Sequence, residues 1–181
     1  MGTVLLDISM SLDGFIATPN DDVERLHRWA VGHWEGVLEM FQATNSGAVI
    51  TGRRTFDLAD GWGGRTPFPV PYFIVSHNVP DRVASGEWPA FTVVTTGLED
   101  TIAQAKKVAG DRTVYIMGGA DIAQQSLRSG LLDEIQLHVI PVLFGTGIRL
   151  FDNIGDEHVE LEAVSAIEFE GMTRLRYRVV K

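Results

Sequence analysis

Apolar and polar positions alternate from the start of the chain. Val4, Leu6, Ile8 and Met10 interleave with Leu5, Asp7 and Ser9, and this period of two predicts a strand. Ser11-Leu12-Asp13-Gly14 then reads as a turn in which Gly14 supplies a positive φ, and Phe15-Ile16-Ala17 as a short extended piece. Residues 23–45 are rich in Trp, Leu, Val and Phe, but Gly32 and Gly36 interrupt the helical spacing, so they predict a loose segment and then a helix over about 33–44. Buried strands are predicted at 48–51, 72–75 and 91–95, with a short helical piece ending near Asp60. Between them, residues 61–71 carry Gly61, Trp62, Gly63, Gly64, Pro67, Pro69 and Pro71 and predict a long irregular loop, often a functional feature in a compact domain.

The second half repeats strand and helix. Residues 99–109 predict a helix with Ile102, Ala105, Val108 and Ala109 inward and Gly110 as its stop. Residues 114–117 predict a strand that meets Gly118-Gly119. A helix follows with Ile122, Ala123 and Leu127 on one face, and Gly130 stands where a C′ glycine belongs. Residues 134–140 form a further strand, ended by Pro141, and a hairpin closes the chain. In that hairpin Val159, Leu161, Ala163, Ile167 and Phe169 mark one face, matched by Leu175, Tyr177 and Val179, while Glu160, Glu162, Glu168 and Glu170 oppose Arg174, Arg176 and Arg178. Pairing apolar with apolar requires an odd-length turn, Glu170-Gly171-Met172 with Gly171 left-handed, which sets Glu168 against Arg174. Such exposed pairs contribute only about 0.2–1 kcal/mol each and mainly fix register. The whole pattern implies an α/β sandwich whose sheet is mostly parallel with antiparallel strands at one side.

At 181 residues the chain fits one domain, 1–181, and 45% hydrophobic with 22% charged residues is ordinary globular composition. A formal charge of −9 argues against nucleic-acid or anionic-membrane partners. The absence of cysteine excludes disulfides and thiolate chemistry. No apolar run is long enough to span a bilayer, and MGTVLLDISM has no signal-peptide character, so a cytoplasmic protein is expected.

Two strand–Gly–helix junctions stand out: Ile50-Thr51-Gly52-Arg53-Arg54-Thr55 and Met117-Gly118-Gly119-Ala120-Asp121. A strand that turns into a helix at glycine aims free N–H groups and the positive helix end at one point, which suits a phosphate. Ligands in open α/β sheets sit beyond the carboxyl ends of the strands, so two such junctions suit the two phosphate regions of one dinucleotide. Arg53 and Arg54 add charge for a phosphate monoester, and Ser76-His77 ends a third strand. There is no Walker A pattern and no Gly-x-Ser-x-Gly elbow. His27, His33, His77, His138 and His158 lack metal-ligand spacing, so no metal is expected; all but His77 read as surface or hydrogen-bonded residues. Trp29 and Trp34 could line a pocket or serve the core, and Phe41 reads as core.

The stretches ISMSLDGFIA, TGRRTFD, YFIVSHN, VYIMGGADIAQQSL and LDEIQLHVIPVLFGTGIRLF together resemble the dihydrofolate reductase superfamily, in the branch of the reductase domain of the riboflavin-biosynthesis deaminase-reductase. The resemblance covers essentially the whole chain. It implies a three-layer α/β/α dihydrofolate-reductase-like fold around a mixed, mostly parallel eight-stranded sheet with a C-terminal antiparallel hairpin, NADPH as hydride donor, and a homodimer. Gly52, Arg53, Arg54 and Thr55 would hold the adenosine-side phosphates, flanked by Ser76 and His77. Met117, Gly118, Gly119, Ala120 and Asp121 would cradle the pyrophosphate across a cis Gly118–Gly119 bond. Ile16 and Ala17, with the Asp13-Gly14 turn, would border the nicotinamide.

Relatives often carry arginine where His77 stands, which leaves NADPH and NADH both open. No carboxylate among Asp21, Asp22, Glu24, Glu35 and Glu39 falls in the pattern that holds a pterin, and dihydrofolate is not expected as substrate. What is expected is an NADPH-dependent reductase of a small heterocyclic or carbonyl substrate, related to 5-amino-6-(5-phosphoribosylamino)uracil reductase. Asp13 is the candidate proton donor, with turn capping as its alternative role. Asp13, Gly14, Trp62, Phe144 and Arg149 are the candidate substrate contacts. The rival readings are a flavin- or deazaflavin-using oxidoreductase on the same fold and a non-catalytic nucleotide-binding protein.

Overall fold

The computed structural model describes residues 2–30, 33–169 and 171–181. The opening alternation forms β1 (Val4–Ser11), and β2 (Phe15–Ala17) follows its turn. Then come α1 (Glu24–His27), α2 (Trp34–Ala43), β3 (Ser46–Gly52), α3 (Arg53–Leu58), β4 (Tyr72–Val75), α4 (Asp81–Ala84) and β5 (Phe91–Val94). The second half runs α5 (Leu98–Ala109), β6 (Thr113–Ile116), α6 (Ala120–Arg128), β7 (Glu134–Ile140), β8 (Ile148–Arg149), β9 (Leu161–Phe169) and β10 (Met172–Val179). Eight strands make one sheet in the order β5-β4-β3-β6-β1-β7-β10-β9. Pairings from β5 through β7 are parallel, and β10 and β9 add antiparallel at one side. β2 and β8 form a separate two-stranded piece. This is the α/β architecture expected, with helices on both faces of a mixed sheet.

Burial on both faces explains the parallel strands. Val4, Leu6, Ala48, Ile50, Val114 and Ile116 pack with Ile102 and Ala105 of α5 and Ile122 and Leu127 of α6. The opposite face places Leu5, Val49, Tyr72, Ile74 and Tyr115 against Phe41, Phe56, Phe68, Trp88 and Phe91. Phe41 is therefore core, and its ring stacks on Phe68 with centroids 3.9 Å apart. No helix among the described residues is long and apolar enough to cross a membrane.

Several expectations are corrected. Val108 is 48% exposed, because α5 centres its buried stripe on Leu98, Thr101, Ile102, Ala105 and Ala109. Gly36 lies inside α2, and a Cβ there would come 3.2 Å from the Phe169 ring, so the glycine admits the hairpin rather than breaking the helix. Gly32 lies outside the described residues. The hairpin register pairs Met172 with Phe169, Thr173 with Glu168 and Arg174 with Ile167, so Glu168 does not face Arg174. Only positions 170 and 171 are left for the turn, of which Glu170 lies outside the described residues. The phase change assigned to the turn occurs instead at a bulge: Arg176 pairs with Ser165 and Tyr177 with Ala163, leaving Val164 unmatched. Beyond the bulge Arg178 Nη1 reaches Glu162 Oε2 at 2.6 Å.

The glycine-rich loop is ordered at its start. Gly61, Trp62 and Gly63 all have φ between 49° and 65°, a left-handed turn that α3 leads into. It buries Gly61 against Trp88 and sets the Trp62 ring edge-on to Phe56, 6.3 Å away. A Cβ on Gly61 would lie 2.1 Å from the Trp88 ring. Gly61→Ala is therefore expected to lower stability by about 2–4 kcal/mol, through positive φ and overpacking together, read as a lower urea midpoint at unchanged m-value.

Candidate functional site

β3 and β6 are neighbours in the sheet, with Ile50 in register with Ile116. Both strands run out at the same edge, and each passes directly into a helix, α3 and α6. The two junctions touch: the Gly52 N–H donates to the Gly118 carbonyl at 3.0 Å. The space around them is tight. A Cβ on Gly52 would sit 3.0 Å from Ile122 Cδ1, and one on Gly119 would sit 3.3 Å from Thr55 Oγ1. The Gly118–Gly119 peptide is cis.

α6 starts without a side-chain cap, and its first intrahelical bond is Ala123 N–H to the Gly119 carbonyl at 3.2 Å. The amides at the head of the helix precede that bond, so they are left for a ligand or for water.

A cleft of about 1010 Å³ runs along this edge. Gly52, Arg53, Arg54, Thr55, Ser76 and His77 line it on one side, and Met117, Gly118, Gly119, Ala120 and Asp121 at the centre. Ile16, Ala17, Trp62 and Arg149 line it as well. The residues named for the phosphates, with Ile16 and Ala17, thus border one cavity, whereas the Asp13-Gly14 turn named beside them does not. The arginines are already engaged. Arg53 Nε reaches both Asp57 carboxylate oxygens at 2.8 Å, and its Nη1 donates to Asn78 Oδ1 at 2.6 Å. Arg54 Nη2 bonds Asp21 Oδ1 at 2.5 Å, from α3 to the loop after β2. Both pairs are solvent-exposed and correspondingly weak, so a bound anion can take over their guanidinium groups.

Asp13, Gly14 and Phe144 do not line the cleft. The Asp13 carboxylate is occupied by the Ser11 hydroxyl at 2.7 Å and by the Phe144 and Gly145 amides at 3.1 and 2.7 Å. These bonds tie the turn after β1 to the segment before β8. Arg149 stands beside it, its guanidinium 4.4 Å above the Phe15 ring and its Nη1 donating to the Asp13 carbonyl at 3.3 Å. Trp34 is 46% exposed and stacks on Phe68, away from the cleft. Trp29 is half-buried and lines a smaller hollow with Arg25, Arg28 and Pro141.

One buried polar cluster, which reaches the cleft through Ser9, was hidden in the sequence. Asp7, Ser9, Gln136 and His138 are buried, and register pairs Asp7 with Gln136 and Ser9 with His138. His138 Nε2 lies 2.8 Å from Asp7 Oδ1, and the Gln136 amide reaches Asp7 Oδ2. The Trp29 ring stacks on His138 at 4.7 Å, and its Nε1 donates to Ser9 Oγ at 3.1 Å. Ser9 and His27 open onto the cleft. The available signal was a pair of matched polar stripes, Asp7/Ser9 and Gln136/His138, on strands otherwise built for a core.

The Ser11 hydrogen bond, aided by the Gly145 and Phe144 amides, outweighs desolvation and lowers the Asp13 carboxyl to about 2. A depressed acid supports the fold fully above its ordinary 3.8, and that support is lost as the pH falls through about 2. A carboxyl-carbon NMR titration should therefore find Asp13 near 2, and Ser11→Ala should raise it toward 3.8.

The RibD C-terminal domain family model matches residues 2–173. "Uncharacterized protein YwjB" of Bacillus subtilis (strain 168) is 27% identical over 173 residues, covering 96% of this chain and 95% of its own. A Shewanella sp. PV-4 protein assigned to riboflavin biosynthesis superposes with a TM-score of 0.76 at 23% identity over 100% of both chains. Dihydrofolate reductase from Enterococcus faecalis, solved with NADP(H) and a second ligand, superposes with a TM-score of 0.67 at 18% identity over 99% of this chain and 98% of its own. At these identities the two structural likenesses establish the fold.

Proposed function

The chain belongs to the RibD C-terminal domain family, and we propose that it is an NADPH-dependent reductase of a small heterocyclic or carbonyl substrate. One observation carries this reading: the uncapped N-terminus of α6, the Gly52–Gly118 contact and two arginines converge on one elongated cleft. The cleft fits the coenzyme chemically. Glycine backbone and free amides suit a pyrophosphate, and Arg53 and Arg54 beside Ser76 and His77 suit a phosphate on the adenosine ribose. Arg53 must then exchange Asp57 for that phosphate, and Arg54 must exchange Asp21. The bound coenzyme would supply a hydride. The protein supplies the grip, the orientation and the exclusion of water.

On this reading the substrate belongs with compounds like 5-amino-6-(5-phosphoribosylamino)uracil. Trp62 and Arg149 are the expected substrate contacts that border the cleft. The quaternary form that accompanies this reading is a homodimer, which light scattering separates from a monomer.

Calorimetry tests the cofactor assignment directly. NADPH is expected to bind, and Arg53→Ala/Arg54→Ala should weaken it roughly 10–100-fold, the loss of one or two charge-assisted hydrogen bonds. NADH affinity should change by less than about threefold, because the removed groups serve the extra phosphate. Absence of heat with either coenzyme overturns the reading.

A further inference from the structure

One ion pair joins two separate elements that border the cleft. Arg54, at the head of α3, sends Nη2 to Asp21 Oδ1 on the loop between β2 and α1, 33 residues away in the chain. Both residues line the cavity. The partners are unlike. The Asp21 side chain is 26% exposed and that of Arg54 66%. Asp21 stands at a φ of 62°, and its loop is clasped by its own backbone. The Asp21 N–H donates to the Thr18 carbonyl and the Thr18 N–H to the Asp22 carbonyl, each at 3.0 Å, and the Asp22 N–H reaches Thr18 Oγ1 at 3.1 Å. A left-handed backbone is disfavoured at a residue with a Cβ and persists where the surroundings fix it. The carboxylate is therefore held still in the cleft wall, and the long, exposed arginine is the partner that can move.

We propose that Asp21 is an internal stand-in for a ligand's phosphate: it occupies Arg54 in the free chain and thereby limits how tightly the cleft holds phosphate-bearing ligands. This rests on the reductase reading above and names the residue that tunes coenzyme affinity. The contrast with Arg53 carries the argument. Asp57 lies four residues along the same helix, and its side chain is 50% exposed. When a phosphate takes Arg53, that carboxylate can swing into water. Asp21 has no such course, because its loop fixes it. When a phosphate takes Arg54, the arginine moves and the Asp21 carboxylate stays behind, unpaired and close to a like charge. Exchange on Arg54 thus loses one ion pair and adds a repulsion, both of which lower the affinity.

Competition and support predict opposite signs. A carboxylate that only steadied Arg54 for its ligand would weaken binding when removed. A carboxylate that competes for Arg54 strengthens binding when removed, and does so only while Arg54 is present. Asparagine is the apt replacement at position 21, since it keeps the shape, accepts a positive φ and drops the charge.

The test uses the full chain and two probes. NADPH affinity is measured by calorimetry. Inorganic pyrophosphate, which has no nicotinamide, is titrated against the backbone amides by NMR. Asp21→Asn should raise the affinity for both roughly 3–10-fold, from one exposed pair no longer broken together with the relieved repulsion. Asp21→Gly also accepts a positive φ and removes the acceptor altogether; it should give the same gain and serves if the asparagine variant fails to fold. In an Arg54→Ala background, Asp21→Asn should move either affinity by less than about twofold, the mark of direct coupling between the two residues. Unchanged or weaker binding by Asp21→Asn overturns the proposal, as does a gain that survives in Arg54→Ala. Should pyrophosphate binding gain while NADPH gives no heat with any variant, the reductase reading falls and the proposal stands. Should neither probe bind the wild-type chain or Asp21→Asn, both fall.

Discussion

The hydrogen bond from the Gly52 amide to the Gly118 carbonyl, 3.0 Å long, is the constraint on which the cleft depends. It continues the β3–β6 ladder one step beyond the last strand pair, at the point where both chains turn into helices. Parallel strands end on the same edge, so α3 and α6 are obliged to begin side by side. The closeness leaves no room for a Cβ without displacing Ile122 or Thr55. Glycine here is required by approach: the backbone itself forms the wall, and the amides it presents need no side chain to be positioned. Everything else along the cleft is built outward from that contact, with α3 carrying the arginines and α6 its unpaired N–H groups.

This explains which parts of the molecule could be read from the residues. Strand order along the chain, the inward face of α6, that of α5 apart from Val108, and both glycine junctions follow from local periodicity and turn chemistry, and the structure places the junctions together. The hairpin phase did not follow. Pairing apolar with apolar demanded one extra residue somewhere, and the turn was the obvious place. The chain puts it at Val164 in the middle of β9, an edge strand that can bend without breaking pairing on its outer side. Trp62 was legible as a candidate but its presentation was not, because a non-glycine residue in a left-handed turn leaves no mark on hydropathy.

The alternation in β1 carried a subtler ambiguity. Leu5, Asp7, Ser9 and Ser11 share one face of the strand, and polar residues at that spacing normally mean contact with solvent. Here Asp7 and Ser11 are buried, at 7% and 0% exposure, beneath Trp29 and the turn at Asp13. A strand in the middle of a sheet has no solvent face, so polar residues on it must be paired or must line a cavity. Asp7 does the first, through Gln136 and His138, and Ser9 does both.

The two ends of the cleft therefore use different materials. At the α6 end the groups that face a ligand are main-chain amides, fixed by glycines that lie within a few residues of the helix they open. At the other end they are side chains drawn from β1, α1 and the left-handed turn, brought together only by the fold. A site made of backbone changes little when surface side chains change, whereas a site made of side chains can be rebuilt one residue at a time on the same scaffold. That division is why TGRRTF and MGGAD can be recognised as motifs while Asp7, His27 and His138 cannot: the first depend on a local turn and the second on which strands the sheet makes neighbours.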